Sequence, residues 1–207
     1  MKKIAIIIIS VLIFNWILIA YSVTSGYNRG DLMLRFSERQ VVTFLSALML
    51  GLTSLITFVM YSLKKRLPEF KKRAKFWLFC SVGFLYLCMD EYFMMHEGMD
   101  GIVGSLFGKD IDYLNLDGLV LGFFGIIASG VCFYFRKEIF KHKELMLYLI
   151  LGAVGLLGTV IFHSLEGINI VYEVIEESFK ILGVSFLFAG FLATLLSFIK
   201  SFPASKR

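Results

Sequence analysis

The chain has 207 residues, of which 58% are apolar, 16% aromatic and only 18% charged. A soluble domain of this size needs a largely polar surface, so the composition excludes that class of protein. The formal net charge is +5. Because the basic residues gather in short loops between apolar blocks, this charge predicts contact with lipid head groups and no binding of nucleic acid.

Six apolar segments are long enough to cross a hydrocarbon core, which requires about 20 helical residues. In chain order they are 4–23, 41–63, 75–97, 117–135, 145–165 and 178–199. The last helix is expected to begin a few turns earlier, near Gly167. The sequence therefore predicts an all-α fold: one polytopic membrane helix bundle with six transmembrane helices, forming a single domain over residues 1–207.

The first segment begins with Lys2-Lys3, as the basic region of a signal peptide does. Its apolar run extends from Ile4 to Val23, well beyond the roughly 7–15 apolar residues of a signal peptide. We therefore expect an uncleaved transmembrane helix.

The distribution of basic residues predicts the orientation. If the N-terminus is cytoplasmic, 16 of the 21 Lys and Arg residues lie in cytoplasmic segments, and the largest group occupies loop 64–75. Basic residues in short loops mark the cytoplasmic side of a membrane protein. We expect a cell-membrane protein with both termini in the cytoplasm.

Acidic residues show the opposite bias, which the orientation rule does not require. Only Glu69, Glu138 and Glu144 of the 16 acidic residues fall on the cytoplasmic side. The outer acidic residues concentrate in three patches: 90–97 at the end of helix three, 163–166 at the end of helix five, and 173–180 leading into helix six. An ionisable group inside a span is costly and usually functional, so these patches are candidate sites.

Helical spacing predicts which of these side chains share a face. Asp90 and Glu97 are seven residues apart, and His163 and Glu166 are three apart. Glu91 and His96 are expected to point elsewhere on helix three. A third face combines four residues at spacings of three, four and seven: Glu173, Glu176, Glu177 and Lys180. If helices three, five and six are neighbours, these faces converge at the outer interface.

Such a convergence predicts a divalent metal, because carboxylates packed together in low dielectric otherwise have to protonate. Glu and His side chains from several bundle helices hold iron or manganese, and the same groups suit zinc. The candidate ligands are Asp90, His96, Glu97, His163, Glu166, Glu173 and Glu177. Asp90, Glu97 and Glu177 are also the candidate catalytic residues.

A structural alternative applies to the same residues: polar groups at a helix end face water. We give it equal weight for Asp112, Glu173 and Glu176. His142, in a basic loop, is expected to be solvated.

Glycines at three- and four-residue spacing in helices four and five predict close helix packing. They include Gly122, Gly125 and Gly130 in helix four, and Gly152, Gly155 and Gly158 in helix five.

The runs Met89-Asp90-Glu91 with His96-Glu97, and Glu176-Glu177-Ser178 with Lys180 and Gly183, resemble motifs in uncharacterised bacterial multipass membrane proteins. This resemblance covers short pieces of two helices and implies no particular activity.

Three hypotheses for function follow. The first is a metal-dependent membrane enzyme that acts on a lipid or another apolar substrate at the outer leaflet. The second is a non-enzymatic membrane protein, either an ion- or proton-coupled transporter or an accessory or immunity-type protein, in which the acids form a cation path or proton relay. The third is a b-type haem protein with His96 and His163 as ligands, which the surplus of nearby acid opposes.

Overall fold

The computed structural model describes residues 2–36, 40–95, 116–165 and 169–201. All regular structure in these residues is helical, and no strand occurs among them. The α-helices are α1 Lys2–Tyr27, α2 Val41–Lys65, α3 Lys71–Phe93, α4 Leu116–Tyr134, α5 Arg136–Ile139, α6 Lys143–His163 and α7 Ile170–Ser201. Two short 3-10 turns, Leu32–Arg35 and Pro68–Phe70, lie on either side of α2. Predicted helices one to four correspond to α1–α4, and predicted helices five and six correspond to α6 and α7.

Five of the described helices are long and apolar enough to cross a membrane. These segments are Ile6–Tyr27, Val41–Lys65, Arg73–Phe93, Lys143–His163 and Ile170–Ser201. In α4 the apolar segment Gly122–Tyr134 is shorter. The protein is therefore a multipass membrane protein built entirely from helices in its described parts.

Helix ends follow local sequence signals. Lys64 and Lys65 lie in the last turn of α2, where positive charge suits the helix dipole, and Pro68 begins the 3-10 turn that follows. The start of α7 at Ile170 agrees with the early start predicted for the last helix. Helix α3 begins and ends four residues earlier than predicted: it ends at Phe93, and Met94 adopts a left-handed conformation with φ 55°.

The closest helix pairs are α6 with α7 and α2 with α3, and α2 also packs along α7. Gly152, Gly155 and Gly158 of α6 face α7, as predicted. A Cβ built on Gly155 would lie 2.6 Å from the Cα of Gly183, so only glycine allows this approach.

The same prediction is wrong for α4. A Cβ built on Gly122, Gly125 or Gly130 meets no described atom within 4 Å. These glycines do not bring α4 close to another described helix, and α4 lies at the edge of the bundle with large exposed side chains such as Ile126 and Phe133.

The largest buried cluster lies toward one end of the bundle, where α2, α3, α5, α6 and α7 meet. Its fully buried members include Met60 of α2, Trp77 of α3, Leu145 of α6 and Phe191 of α7. This end carries the basic loops, so it corresponds to the predicted cytoplasmic side, and we refer to it as the inner end.

Candidate functional site

Five ionisable side chains at the other end of the bundle form what we call the outer cluster: Glu91 of α3, His163 of α6, and Glu176, Glu177 and Lys180 of α7. Lys180 is shared between two helices. Its Nζ atom lies 2.6 Å from Oε1 of Glu177 and 3.1 Å from Oε1 of Glu91. The Lys180–Glu91 contact joins α7 to α3, and the Lys180–Glu177 contact lies within α7.

These three groups are largely withdrawn from solvent. The exposed fractions of the side chains are 21% for Lys180, 16% for Glu177 and 13% for Glu91. Oε2 of Glu177 and Oε1 of Glu91 are buried and have no hydrogen-bond partner among the described residues, although Oε1 of Glu91 lies within ion-pair distance of Lys180. A buried carboxylate oxygen without a hydrogen bond is costly, so a proton or another cation at this point would be stabilising.

The other half of the cluster is a histidine–carboxylate pair between α6 and α7. Nδ1 of His163 lies 3.1 Å from Oε1 of Glu176, and both side chains are nearly buried. Phe162 stacks on Phe179 with ring centroids 5.5 Å apart, which fixes the two helices directly beside this pair. The pair can exchange a proton between imidazole and carboxylate, or present two ligands of the kinds that metals use.

Two of the predicted site residues have ionisable partners at this end of the bundle. His163 contacts Glu176, and Glu177 contacts Lys180. Asp90 is buried on α3, with 7% of its surface exposed. Glu173 is half-buried and forms no ion pair with a described residue.

Glu91 corrects the sequence prediction for helix three. The sequence argument directed Asp90 toward the other polar helices and Glu91 away from them, whereas it is Glu91 that reaches Lys180 of α7. The rotation of α3 about its own axis decides which of the two side chains faces α7. Helix α3 packs mainly against α2, and sequence spacing alone does not give the angle at which α3 then faces α7.

Two spacing arguments involve residues beyond the described helix ends. Helix α3 ends at Phe93 and α6 ends at His163. The shared faces of Asp90 with Glu97 and of His163 with Glu166 therefore stay predictions. Four of the predicted positions lie outside the described residues: His96, Glu97, Asp112 and Glu166.

Among the residues that the structure describes, no three His, Cys, Asp or Glu side chains are arranged to hold a metal ion. The divalent metal and the haem therefore stay predictions.

A second network, which we call the inner network, lies at the opposite end and was not predicted. It consists of Lys64, Arg73, Trp77, Glu138 and His142. Lys64 of α2 forms a buried ion pair with Oε1 of Glu138 on α5, and its Nζ lies 4.6 Å from the centre of the Trp77 ring. The indole N–H of Trp77 donates a 3.2 Å hydrogen bond to the same carboxylate oxygen.

Burial and hydrogen bonding act in opposite directions on Glu138. Burial alone would raise the pKa of this carboxyl group, since it disfavours the charged form. Hydrogen bonds from His142, Lys64 and Trp77, together with the charge of Lys64, outweigh burial and lower the pKa of Glu138 to about 2. The group is therefore an anion at any physiological pH.

His142 is a further correction. It was expected to be solvated, but its ring nitrogen Nε2 lies 3.3 Å from Nζ of Lys64. Its ring packs edge-on against Trp77 with centroids 5.8 Å apart, and its side chain is 23% exposed. The sequence did contain a signal for this network. Glu138 is the one acidic residue in the basic loop 136–143, and an acid surrounded by bases is expected to form an ion pair.

A family model described as a domain of unknown function (DUF8692) matches residues 5–194 of the chain. No curated protein matches the chain, and no solved structure does.

Proposed function

The chain belongs to the DUF8692 family, and from this premise we propose that it is a six-span cell-membrane transporter in which the outer cluster binds and releases a proton. Both termini lie in the cytoplasm in this proposal. The observation that carries it is the single ammonium of Lys180 between the carboxylates of Glu91 and Glu177.

The sixth span in this proposal is α4. Its position agrees with the predicted segment 117–135, and a span there brings loops 64–75 and 136–143, which carry most of the basic residues, to one side. Single cysteines at Lys71 and Lys141 should react with an impermeant thiol reagent only from the cytoplasmic side, and one at Asp110 only from outside. Reaction of Lys71→Cys from outside would overturn this topology.

The charge balance supports a proton site. Two ionised carboxylates beside one ammonium leave an excess negative charge in a region of low dielectric, where an unpaired charge is expensive. A proton on Oε2 of Glu177, which lacks a partner among the described residues, removes that excess. The remaining carboxylate of Glu91 and the ammonium of Lys180 then form a neutral pair.

His163 and Glu176 extend the site by one proton-exchanging pair. In this proposal a proton enters at His163 and Glu176 and passes to Glu177, the next residue of α7. Ionisable groups that face the interior of a membrane bundle commonly form such relays.

The proton site can be tested by infrared difference spectroscopy of the purified protein between acidic and alkaline buffer. A band from a protonated carboxyl group should appear in the wild type and be lost in Glu177→Gln. Glu173→Gln is the matched control, since it removes a glutamate one turn away on the same helix that pairs with no described residue. If wild type and Glu177→Gln give the same carboxyl band, Glu177 is not the proton site.

A second candidate function is the metal-dependent membrane enzyme, with a lipid or other apolar substrate at the outer leaflet. The observation that favours it is the contact between His163 and Glu176, which brings two ligand types together from two helices. A bound zinc, iron or manganese ion would activate water there. In this reading the ligands add Glu166, three residues after His163 in the sequence.

Metal analysis separates the two candidates. An enzyme of this kind should purify with a stoichiometric metal that His163→Ala removes, whereas His142→Ala, at the opposite end of the bundle, should retain it. The metal should also dissociate as the pH falls, because neutral imidazole and ionised carboxylate are the ligating forms. Protein that neither carries nor takes up a metal would reject the enzyme and keep the transporter proposal.

A further inference from the structure

The buried face of α2 carries a line of hydroxyl groups that the outer cluster does not use. We call it the polar seam, and its members recur at spacings of three, four and seven residues: Thr43, Ser46, Thr53 and Thr57. All four are buried. Ser46 Oγ has no hydrogen-bond partner among the described residues, whereas Thr53 and Thr57 donate to carbonyls one turn back, at 2.7 and 2.8 Å.

Polar side chains from two other helices meet α2 at the middle of the seam. Oγ of Ser185 on α7 lies 3.4 Å from Oδ1 of Asn15 on α1 and 3.4 Å from the sulfur of Met49 on α2. All three helices therefore contribute polar atoms to one buried region of an otherwise apolar bundle.

The seam runs between the two charged ends of the molecule. At its outer end, Val42 packs in one buried cluster with Ile181, the residue that follows Lys180 of the outer cluster. At its inner end the same face of α2 continues through Met60 to Lys64. Thr57 and Lys64 are seven residues apart, or about 10 Å along a helix.

The inner end is closed by the Lys64–Glu138 ion pair. Aromatic rings surround the ammonium of Lys64: its Nζ lies 4.6 Å from the ring centre of Trp77 and 5.5 Å from that of Phe198. In the part of the chain that the structure describes, Arg73 and His142 are the other charged or titratable groups that face the pair. These side chains lie at the inner end of the seam.

The carboxylate of this ion pair belongs to a short helix. Glu138 lies on α5, a helix of four residues between α4 and α6. Helix α4 has few close contacts with the rest of the described chain, while α6 and α7 are held together along their glycine faces. The next residue of α5, Ile139, is buried in the inner hydrophobic cluster, so separation of the ion pair would also have to withdraw Ile139 from that cluster.

We propose that the Lys64–Glu138 pair is a cytoplasmic gate on the polar seam: when the pair is joined the seam is dry, and when it separates the seam is open to cytoplasmic water. The purpose of such a gate rests on the proposed transport function. Its existence does not, because access of water to the seam can be measured without a substrate.

The test uses the full-length protein in membranes with Cys80, Cys88 and Cys132 replaced by Ala and one new cysteine, Thr57→Cys. An impermeant maleimide is applied from the side on which a cysteine at Lys71 reacts. The new cysteine should react slowly with the gate intact. In Glu138→Gln it should react about tenfold faster or more, since breaking a buried ion pair strongly destabilises the closed arrangement.

Two further variants keep the test decisive. Glu144→Gln removes another glutamate on the inner side and should leave the reaction slow. The exchanged pair Lys64→Glu with Glu138→Lys should bring the rate back toward that of the intact gate. Equal rates in Glu138→Gln and Glu144→Gln, or an exchanged pair that reacts as fast as Glu138→Gln, would overturn the gate.

Opening has to be distinguished from unfolding. A cysteine at Ala189, buried against Tyr148 on the α6–α7 side, should stay unreactive in every gate variant and react only in unfolded protein. If Ala189→Cys reacts together with Thr57→Cys in Glu138→Gln, the pair maintains the fold and is no gate. Fast labelling of Thr57→Cys with no carboxyl band from Glu177 would keep the gate and reject the proton site, and the reverse result would do the opposite.

Discussion

The two ends of the bundle hold buried charge in different ways. At the inner end, the carboxylate of Glu138 faces two cations: Lys64 pairs with its Oε1, and Arg73 lies 3.9 Å from its Oε2, which has no hydrogen-bond partner among the described residues. At the outer end, one cation, Lys180, faces the two carboxylates of Glu91 and Glu177, and Oε2 of Glu177 likewise lacks a hydrogen-bond partner among the described residues. The inner arrangement therefore has more cations than carboxylates, whereas the outer arrangement has a surplus of negative charge.

This difference separates an ion pair that holds two segments of the chain together from a cluster that can accept a cation. The inner pair resists separation, because the loss of either partner strands a buried charge. A cluster with surplus negative charge gains by taking up a proton or another cation. We therefore expect the same substitution to be costly at the inner end and nearly free at the outer end.

The largest effect should follow from Glu138→Ala, which leaves the ammonium of Lys64 buried without its carboxylate. We expect the free energy of unfolding in detergent to fall by about 3–5 kcal/mol. Replacing both partners, as in Lys64→Met with Glu138→Leu, should recover most of that loss because no buried charge remains. A double variant as unstable as Glu138→Ala would contradict this account of the inner end.

The second effect concerns pH. The pKa of Glu138 is lowered in the folded protein, from its ordinary value of 4.5 to about 2. A lowered pKa contributes stability that is fully present above the unfolded-state value and is lost as the pH falls through the folded-state value. Thermal unfolding measured between pH 4.5 and pH 2 should therefore show a loss that approaches about 3 kcal/mol.

The matching control for the pH series is Glu138→Gln, which has no carboxyl group to titrate. At pH 4.5 its free energy of unfolding should be lower than that of the wild type. As the pH falls, it should not show the loss that titration of Glu138 causes. Parallel pH curves for the two proteins would show that Glu138 is not the group responsible.

A smaller effect is expected for Trp77→Phe. The substitution keeps an aromatic ring beside Lys64 but removes the indole N–H that bonds to Glu138. Loss of a hydrogen bond to a charged group should cost about 2 kcal/mol. Trp16→Phe, on a lipid-facing side chain that is 73% exposed, should change the unfolding temperature little.

The smallest effect should come from Glu177→Gln in the outer cluster. Lys180 keeps Glu91 as a partner, and the surplus charge is removed, so we expect a change below about 1 kcal/mol in either direction. The comparison with Glu138→Gln, the same chemical change at the other end, is the direct measurement. A large destabilisation from Glu177→Gln would mean that both ends serve the fold alike.

Much of the helical pattern was predictable from the sequence, because the length of each apolar run locates a helix and the 1.5 Å rise per residue gives the height of each residue along it. The same heights predicted that acidic residues gather at the outer end. Glu91 was underrated because the facing of α3 depends on its packing against α2, and the spacing rules for Glu97 and Glu166 assumed helices that end at Phe93 and His163.

The inner network was missed for a different physical reason. Counting basic residues treats every loop charge as solvated, and the predicted second span stopped at residue 63, one residue before Lys64. In the structure α2 continues to Lys65, and α5 brings Glu138 back onto the bundle. No sequence period reports a contact between a helix end and a loop 74 residues further along the chain.

The glycine contacts between α6 and α7 have a mechanical consequence. With backbones this close at Gly155 and Gly183, a slide of one residue, about 1.5 Å, would drive leucine side chains such as Leu187 into the neighbouring main chain. The hairpin of α6 and α7 is thus the rigid frame of the molecule. In the proposed gate, movement has to be taken by the parts that surround this frame, and α4, whose glycines touch no described neighbour, has fewer close contacts than α2, α3, α6 or α7.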